Sequence, residues 1–264
     1  MSFFGGAKLI ELLKEEMHCI APLCQCRKED VVLWSCVEGN MGRIWVNKRN
    51  NPTFAMALVA DFCFLLGSEN DIEEDIIVKK LSENSMGKVI VIDDILFGSM
   101  IEKKFPNNFK RFNRYALTGE LKLFQKKQLE EFILIVESEF EIKKIDESIY
   151  YKVLEEGWTA DFCSNFISLE DYLKNGIGYV IMHNGEIISG AGSYSYCEGK
   201  IEITIGTKGE YRRKGLALAC ASKLILDCLE RNVYPRWDAV NKYSVALAEK
   251  LGYDFEKEYV VYSI

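Results

Sequence analysis

The stretch EYRRKGLALACASKLI, residues 210–225, decides how this chain is read. Polar and charged residues run up to Gly215, and beyond it almost everything is apolar and helix-forming. A strand that ends in a glycine-containing turn and opens a helix presents free backbone N–H groups at the helix's positive end, a ready anion site. Gly215 admits a ligand close to the backbone where a Cβ would intrude, and Ala217 keeps the first helical turn small. Arg213 and Lys214, with Lys208 nearby, add cationic side chains. The alternative reading is a solvated basic turn that caps a buried helix. No G-x-x-x-x-G-K-S/T and no strand-borne G-x-G-x-x-G occurs, which excludes a P-loop and a dinucleotide fold.

Working outward, KIEITIGT (residues 200–207) alternates Ile201, Ile203 and Ile205 on one face with Glu202 and Thr204 on the other, the period of a strand. Before it, IGYVIMHNGEIISGAGSYS reads as two strands around Asn184-Gly185, the strongest short hairpin signal. Ser168 is placed as a helix N-cap with Asp171 three residues on. After residue 231, VYPRWDAV is a strand, YSVALAEKLGYD a helix closed by Gly252, and EYVVYSI a last strand. The order predicts an α/β fold on one mixed sheet. The helical period of residues 124–140 ends a first unit, so the expected domains are 1–135 and 136–264. GRIWVNKRNNPTFAMALVADFCFLLG, residues 42–67, repeats the strand–turn–strand pattern of 176–195, compatible with a smaller α/β domain that is a degenerate copy lacking the ligand turn.

The chain has 264 residues, 48% hydrophobic and 28% charged, values typical of a soluble globular protein. A net charge of −7 argues against non-specific nucleic-acid binding and mildly favours cationic partners. MSFFGGAKLIELLKEEM reads as a short amphipathic helix rather than a signal peptide. No stretch approaches the roughly 18 apolar residues of a membrane span. A cytoplasmic location follows, with the nine cysteines expected as reduced, packed thiols. His18, Cys19, Cys24 and Cys26 supply four potential zinc ligands at irregular spacing with no second pair. No metal is expected; a zinc-stabilised interaction protein is the rival reading.

RRKGLA, residues 212–217, fits the Gln/Arg-x-x-Gly-x-Gly/Ala signature of the GNAT superfamily of acyl-CoA-dependent N-acyltransferases, and NKYSVALAEKLGY, residues 241–253, resembles that superfamily's second motif. The good match covers roughly residues 140–264, and the whole chain resembles the two-domain bacterial subgroup similar to zwittermicin-resistance-type acetyltransferases. The resemblance implies a GNAT-like domain that uses acetyl-CoA as cosubstrate and passes the acetyl group to the amine of a small molecule by direct attack on the thioester. Backbone groups of Ile205, Gly206 and Thr207 would pair with the pantetheine arm. The amides of Arg213, Lys214, Gly215, Leu216 and Ala217 would cradle the pyrophosphate, with the side chains of Arg212 and Lys214 nearby. Asn241 and Ser244 would touch the cosubstrate from the opposite side.

An attacking amine must lose a proton, so a carboxylate in the cleft is useful. Glu202 is the candidate base, against the alternative of a surface-strand glutamate. Asp238 is second, as base or as holder of a cationic acceptor. Trp237, Tyr194 and Tyr196 are candidates for the substrate side or for packing. The tyrosine that many relatives place seven residues after the motif's Asn is Ala248 here. The acid then falls to Tyr253, Tyr243 or solvent, because a thiolate leaves readily. His183, beside the hairpin turn, is expected to be solvated. A non-catalytic acyl-CoA sensor is the alternative function, and a homodimer is compatible with either.

Overall fold

The computed structural model describes residues 8–264. They form two compact units, one of residues up to Arg114 with Tyr259–Ile264, the other of Tyr115–Glu258.

In the first unit a short strand β1 (Ile10–Glu11) precedes a run of 3₁₀ turns, Lys14–Arg27, and helix α1 (Val31–Val37). The amphipathic helix expected at the start lies in part outside the described residues; Ile10 and Glu11 instead pair with Val46 and Trp45. Strands β2 (Arg43–Val46), β3 (Phe54–Val59) and β4 (Phe62–Gly67) form an antiparallel meander. Residues 42–67 thus hold three strands where sequence reading found two. The missed turn is Ala60-Asp61, whose Ala60 has φ 47°, and alanine carries no signal for a left-handed residue. Helix α2 (Glu74–Asn84) crosses to β5 (Val89–Ile92), parallel to β4, and α3 (Ile95–Lys104) follows. The end of the chain closes this sheet, Val261 and Tyr262 pairing with Val91 and Ile90. Trp45, Phe54, Leu65, Ile90, Phe97 and Tyr262 are buried together in its core.

Strand β6 (Lys110–Thr118) carries the chain into the second unit. Helix α4 (Lys126–Leu134), β7 (Glu141–Lys144), and helices α5 (Glu147–Glu155), α6 (Gly157–Ala160) and α7 (Leu169–Asn175) precede the hairpin β8 (Gly178–His183) and β9 (Glu186–Cys197). The sheet continues with β10 (Lys200–Thr207), crosses by α8 (Leu216–Arg231) to β11 (Tyr234–Ala239), and the chain runs on through α9 (Lys242–Leu251) into β12 (Asp254–Ser263). The hairpin turn has φ 49° at Asn184 and 81° at Gly185, the pair of left-handed residues a twisted two-residue loop requires. Ser168 caps α7 as expected, and Asp171 reaches back to the amide of Ile167 rather than to the cap itself.

The two units repeat one plan: three strands in an antiparallel meander, a crossover helix, a strand parallel to the third, and a helix. In each, the strand beside the parallel one comes from elsewhere in the sequence, β6 beside β11 and the end of β12 beside β5. The units change over at Arg114/Tyr115, so the expected division at 135/136 falls inside the second unit. The cause is packing. Phe124 and Leu129, on or just before α4, are buried in the same core as Leu216, Leu224 and Ile225 of α8, each such side chain contributing about 1.5–3 kcal/mol of burial.

Candidate active site

The second unit's sheet opens at its middle. Ile201 and Ile203 are buried on the α8 face and Ile205 packs beside them, as the alternation predicts. The parallel ladder between β10 and β11 runs only through Lys200, Ile201 and Glu202, opposite Tyr234, Pro235 and Arg236. Beyond it β10 continues to Thr207 while bonded to β9 alone, and the register against β9 shifts between Glu202 and Ile203. The extra residue there is Tyr194 of β9, a bulge that bends its strand and increases the local twist. The β11-facing edge of residues 203–207 therefore carries backbone donors and acceptors without a strand beside them. In the first unit the corresponding strands stay zipped from Phe62↔Val89 to Leu65↔Ile92.

Glu202 sits where the ladder ends. It is 6% exposed, so it is not a surface-strand glutamate, and its Oε1 accepts the amide N–H of Asp238 at 2.7 Å. The side chain supplies the bond that a continued ladder would have made, and it fixes Asp238 at the same point of divergence.

At the other end of β10 lies the turn. Arg212 Nε donates to the Thr207 carbonyl at 3.3 Å, tying the turn back to the strand. Arg213 has φ 64° and Gly215 φ 80°, while Lys214 between them is not left-handed. Such alternation turns successive N–H groups toward one side. Gly215 is the N-cap of the 16-residue α8 and no side chain caps it, so the first-turn amides keep their positive end exposed to a ligand. A Cβ at Gly215 would stand 2.9 Å from Ile135 Cδ1. Lys208 is drawn away from the turn: its ammonium lies 3.2 Å from Glu186 and 3.6 Å from Glu156, and the Glu186 hydrogen bond raises its pKa.

The remaining candidates divide. Asn241 caps α9 by accepting from Ser244 N, and Ser244 Oγ accepts from the Trp237 indole at 3.0 Å, so the pair is brought together at the mouth of α9 with Trp237 behind it in the core. Tyr253 is a core residue. It is 2% exposed, donates its hydroxyl to the Pro235 carbonyl at 2.6 Å, and packs edge-on against Phe124 and Trp237. Burial holds its pKa well above the usual value. Ala248 is buried in the same core, and Tyr243 is 89% exposed. Tyr194 is buried, and Tyr196 stacks on Phe166 and donates to Asp171 at 2.9 Å, which makes it a packing residue. His183 is not solvated as expected: its Nδ1 lies 3.0 Å from the Tyr211 hydroxyl, and its ring meets Phe140 edge-on.

Sequence reading missed Tyr211, Phe140, Trp158 of α6 and Phe162 just beyond that helix. Glycines mark the last two. A Cβ at Gly190 or Gly192 would strike Phe162, and one at Gly206 would crowd Trp158 at 3.2 Å; glycines two apart within a strand are the signal of a close approach. Trp158 Nε1 donates to Glu156 at 2.6 Å, and its ring covers Gly206 on the side of β10 that also bears Glu202 and Thr204.

All nine cysteines are free thiols, seven of them buried, and burial pushes Cys24, Cys36, Cys63, Cys163 and Cys220 up to about 12. Among the described residues no three His, Cys, Asp or Glu side chains converge to hold a metal. None of their helices is long and apolar enough to cross a membrane.

Known proteins share this fold. A GCN5-related N-acetyltransferase-like protein from Streptococcus suis is 36% identical, with a TM-score of 0.85 over 94% of this chain and 98% of that one. A tandem GNAT protein from the clavulanic acid biosynthesis pathway has the same fold at a TM-score of 0.60 over 97% of each chain, with 10% identity. The uncharacterized N-acetyltransferase YdfB of Bacillus subtilis is 28% identical over 176 residues, a match that spans 62% of this chain and 61% of that relative. The sequence pattern of the GNAT acetyltransferase family matches residues 21–262, and the chain belongs to that family.

Proposed function

We propose that this chain is an acetyl-CoA-dependent N-acetyltransferase whose acceptor is a small-molecule amine. The observation that carries the reading is the continuity of the open β10 edge with the uncapped, left-handed turn at the start of α8. The edge suits the amide-bearing pantetheine arm, held by backbone groups of Ile205, Gly206 and Thr207. The turn suits the pyrophosphate, held by the amides of residues 213–217 with Arg212 beside them. The fit is supported at Gly215, where any Cβ would strain the backbone and crowd the turn. When bound, acetyl-CoA supplies an activated acetyl group on a good leaving thiolate.

The chain's own part is to place an amine and take its proton. Glu202 is the base in this reading: a carboxylate at the floor of the opening, fixed by the Asp238 amide, and so held in one orientation. Asp238 stands beside it as the alternative base or as an anchor for a cationic acceptor. Tyr253, with its proton committed to Pro235, is left out of the chemistry, and solvent protonates the thiolate.

A non-catalytic acyl-CoA sensor is the second reading. It is favoured by Ala248, buried where the family pattern puts a tyrosine. Calorimetric titration with acetyl-CoA tests both against the basic-turn alternative, with Gly215→Glu as the control. One acetyl-CoA per chain is expected, because β4 and β5 stay zipped and Glu74 and Asp75 load the first turn of α2 with negative charge. No binding by the wild type would end both readings. Binding without thiol release across a panel of amines would leave the sensor.

A further inference from the structure

The geometry points to Phe140, His183, Tyr211 and Lys214 as a latch that holds the anion turn in its receptive shape; this rests on the acyl-CoA reading of that turn. Tyr211 closes the 3₁₀ turn Gly209–Tyr211, two residues before Arg213. Its hydroxyl bonds His183 Nδ1 at 3.0 Å, and the two rings meet edge-on at 5.8 Å. Phe140 meets His183 at 5.2 Å and Tyr211 at 6.2 Å, both edge-on. The Lys214 ammonium lies 5.6 Å from the Phe140 ring centre and 5.5 Å from that of Tyr211. The other nitrogen of His183 faces Asn184 Nδ2 at 3.4 Å and the Glu139 carboxylate at 4.0 Å.

The arrangement answers a strain. Arg213, at φ 64°, is a left-handed residue that is not glycine, and such residues persist only where their surroundings hold them. The chain is tied down on both sides of it: two residues before by the Tyr211 hydrogen bond to the end of β8, and one residue after by the two aromatic rings beside Lys214. The latch also changes the role of Lys214. A cation resting on two rings shapes the turn from behind, instead of reaching for a phosphate as sequence reading expected. Releasing the latch lowers the fraction of molecules whose turn amides converge, and apparent affinity falls by that fraction.

Amide hydrogen exchange of residues 212–218 in the ligand-free protein reads the latch directly, and calorimetry with acetyl-CoA reads its consequence. Tyr211→Phe keeps the ring and removes the hydroxyl, His183→Phe keeps the ring contact and removes the ring nitrogens, and Lys214→Met removes only the charge. Each is expected to speed exchange about threefold and to raise the acetyl-CoA Kd by a like factor. The double variant Tyr211→Phe/His183→Phe should be no worse than either single. Lys214→Met should speed exchange in the ligand-free protein, which the loss of a phosphate contact alone would leave unchanged. Unchanged exchange in Tyr211→Phe and His183→Phe, unchanged exchange in Lys214→Met, or faster exchange with unchanged Kd overturns the latch. Exchange is measured without ligand, so a wild type that binds no acetyl-CoA sinks the acyl-CoA reading while exchange still decides the latch.

Discussion

Gly215→Ala separates backbone strain from steric crowding at the turn. At φ 80° the glycine occupies a region that costs an L residue about 1–2 kcal/mol. The added methyl would approach Ile135 Cδ1 to 2.9 Å, but that atom ends a side chain that is 54% exposed and free to swing aside. The backbone term therefore dominates. If the turn keeps its shape, the whole cost appears as stability, roughly 2–4 °C of Tm per kcal/mol at this size. If the turn relaxes, the cost appears as affinity, about 5- to 30-fold in the Kd for acetyl-CoA. Differential scanning calorimetry and titration calorimetry on one preparation capture both. Gly215→Asn should lose clearly less than Gly215→Ala, because asparagine tolerates the left-handed region. Ile135→Ala should rescue neither variant substantially. An alanine variant with wild-type Tm and Kd would refute the conformational argument, and full rescue by Ile135→Ala would transfer the effect to crowding.

Three further outcomes are expected. Glu202→Gln retains an oxygen to accept the Asp238 amide, so Tm should change little while the transfer rate falls by about 10²- to 10⁴-fold; an undiminished rate removes Glu202 from the chemistry. Tyr253→Phe leaves the buried Pro235 carbonyl without its donor and should cost about 1–3 kcal/mol of stability with the rate at saturation unaltered; a large rate loss at unchanged Tm would restore Tyr253 as the acid. Asp227 pulls two ways. Burial alone would raise its pKa, but hydrogen bonds from Lys144 and Tyr179, with the charges of Arg231 and Lys144, hold it below the usual carboxylate value. Its stabilising contribution is thus complete above the unfolded value near 3.8 and lost as pH falls through the lower folded value. Asp227→Asn should flatten the acid limb of the stability curve, and an unaltered limb in urea titrations below about pH 4 would contradict this.

Local elements were legible where chemistry acts over a few residues. Asn184-Gly185 set the hairpin, Gly252 ended α9 at φ 105°, and Asn241 capped it. The boundary at 135/136 was misplaced because a helical period says that a helix has an apolar face and not which core receives it. Phe124 and Leu129 chose the second core. Tyr253 is a candidate acid by sequence because Ala248 occupies the family's tyrosine position, yet its ring turns inward and its proton goes to a carbonyl 18 residues earlier.

What the sequence by itself determined is the local shape of the turn at Gly215, since left-handed backbone, an uncapped helix N-terminus and a neighbouring strand are all consequences of contiguous residues. Only the tertiary structure decided which groups serve that turn and which serve the core. The opening of β10 from β11 depends on a register shift and on a Glu202–Asp238 bond across 36 residues. The seat of Lys214 needs Phe140 and the His183–Tyr211 bond, which joins the hairpin to the turn 28 residues on. Contacts of that kind are fixed by how strands and helices pack against one another, and no spacing along the chain encodes them.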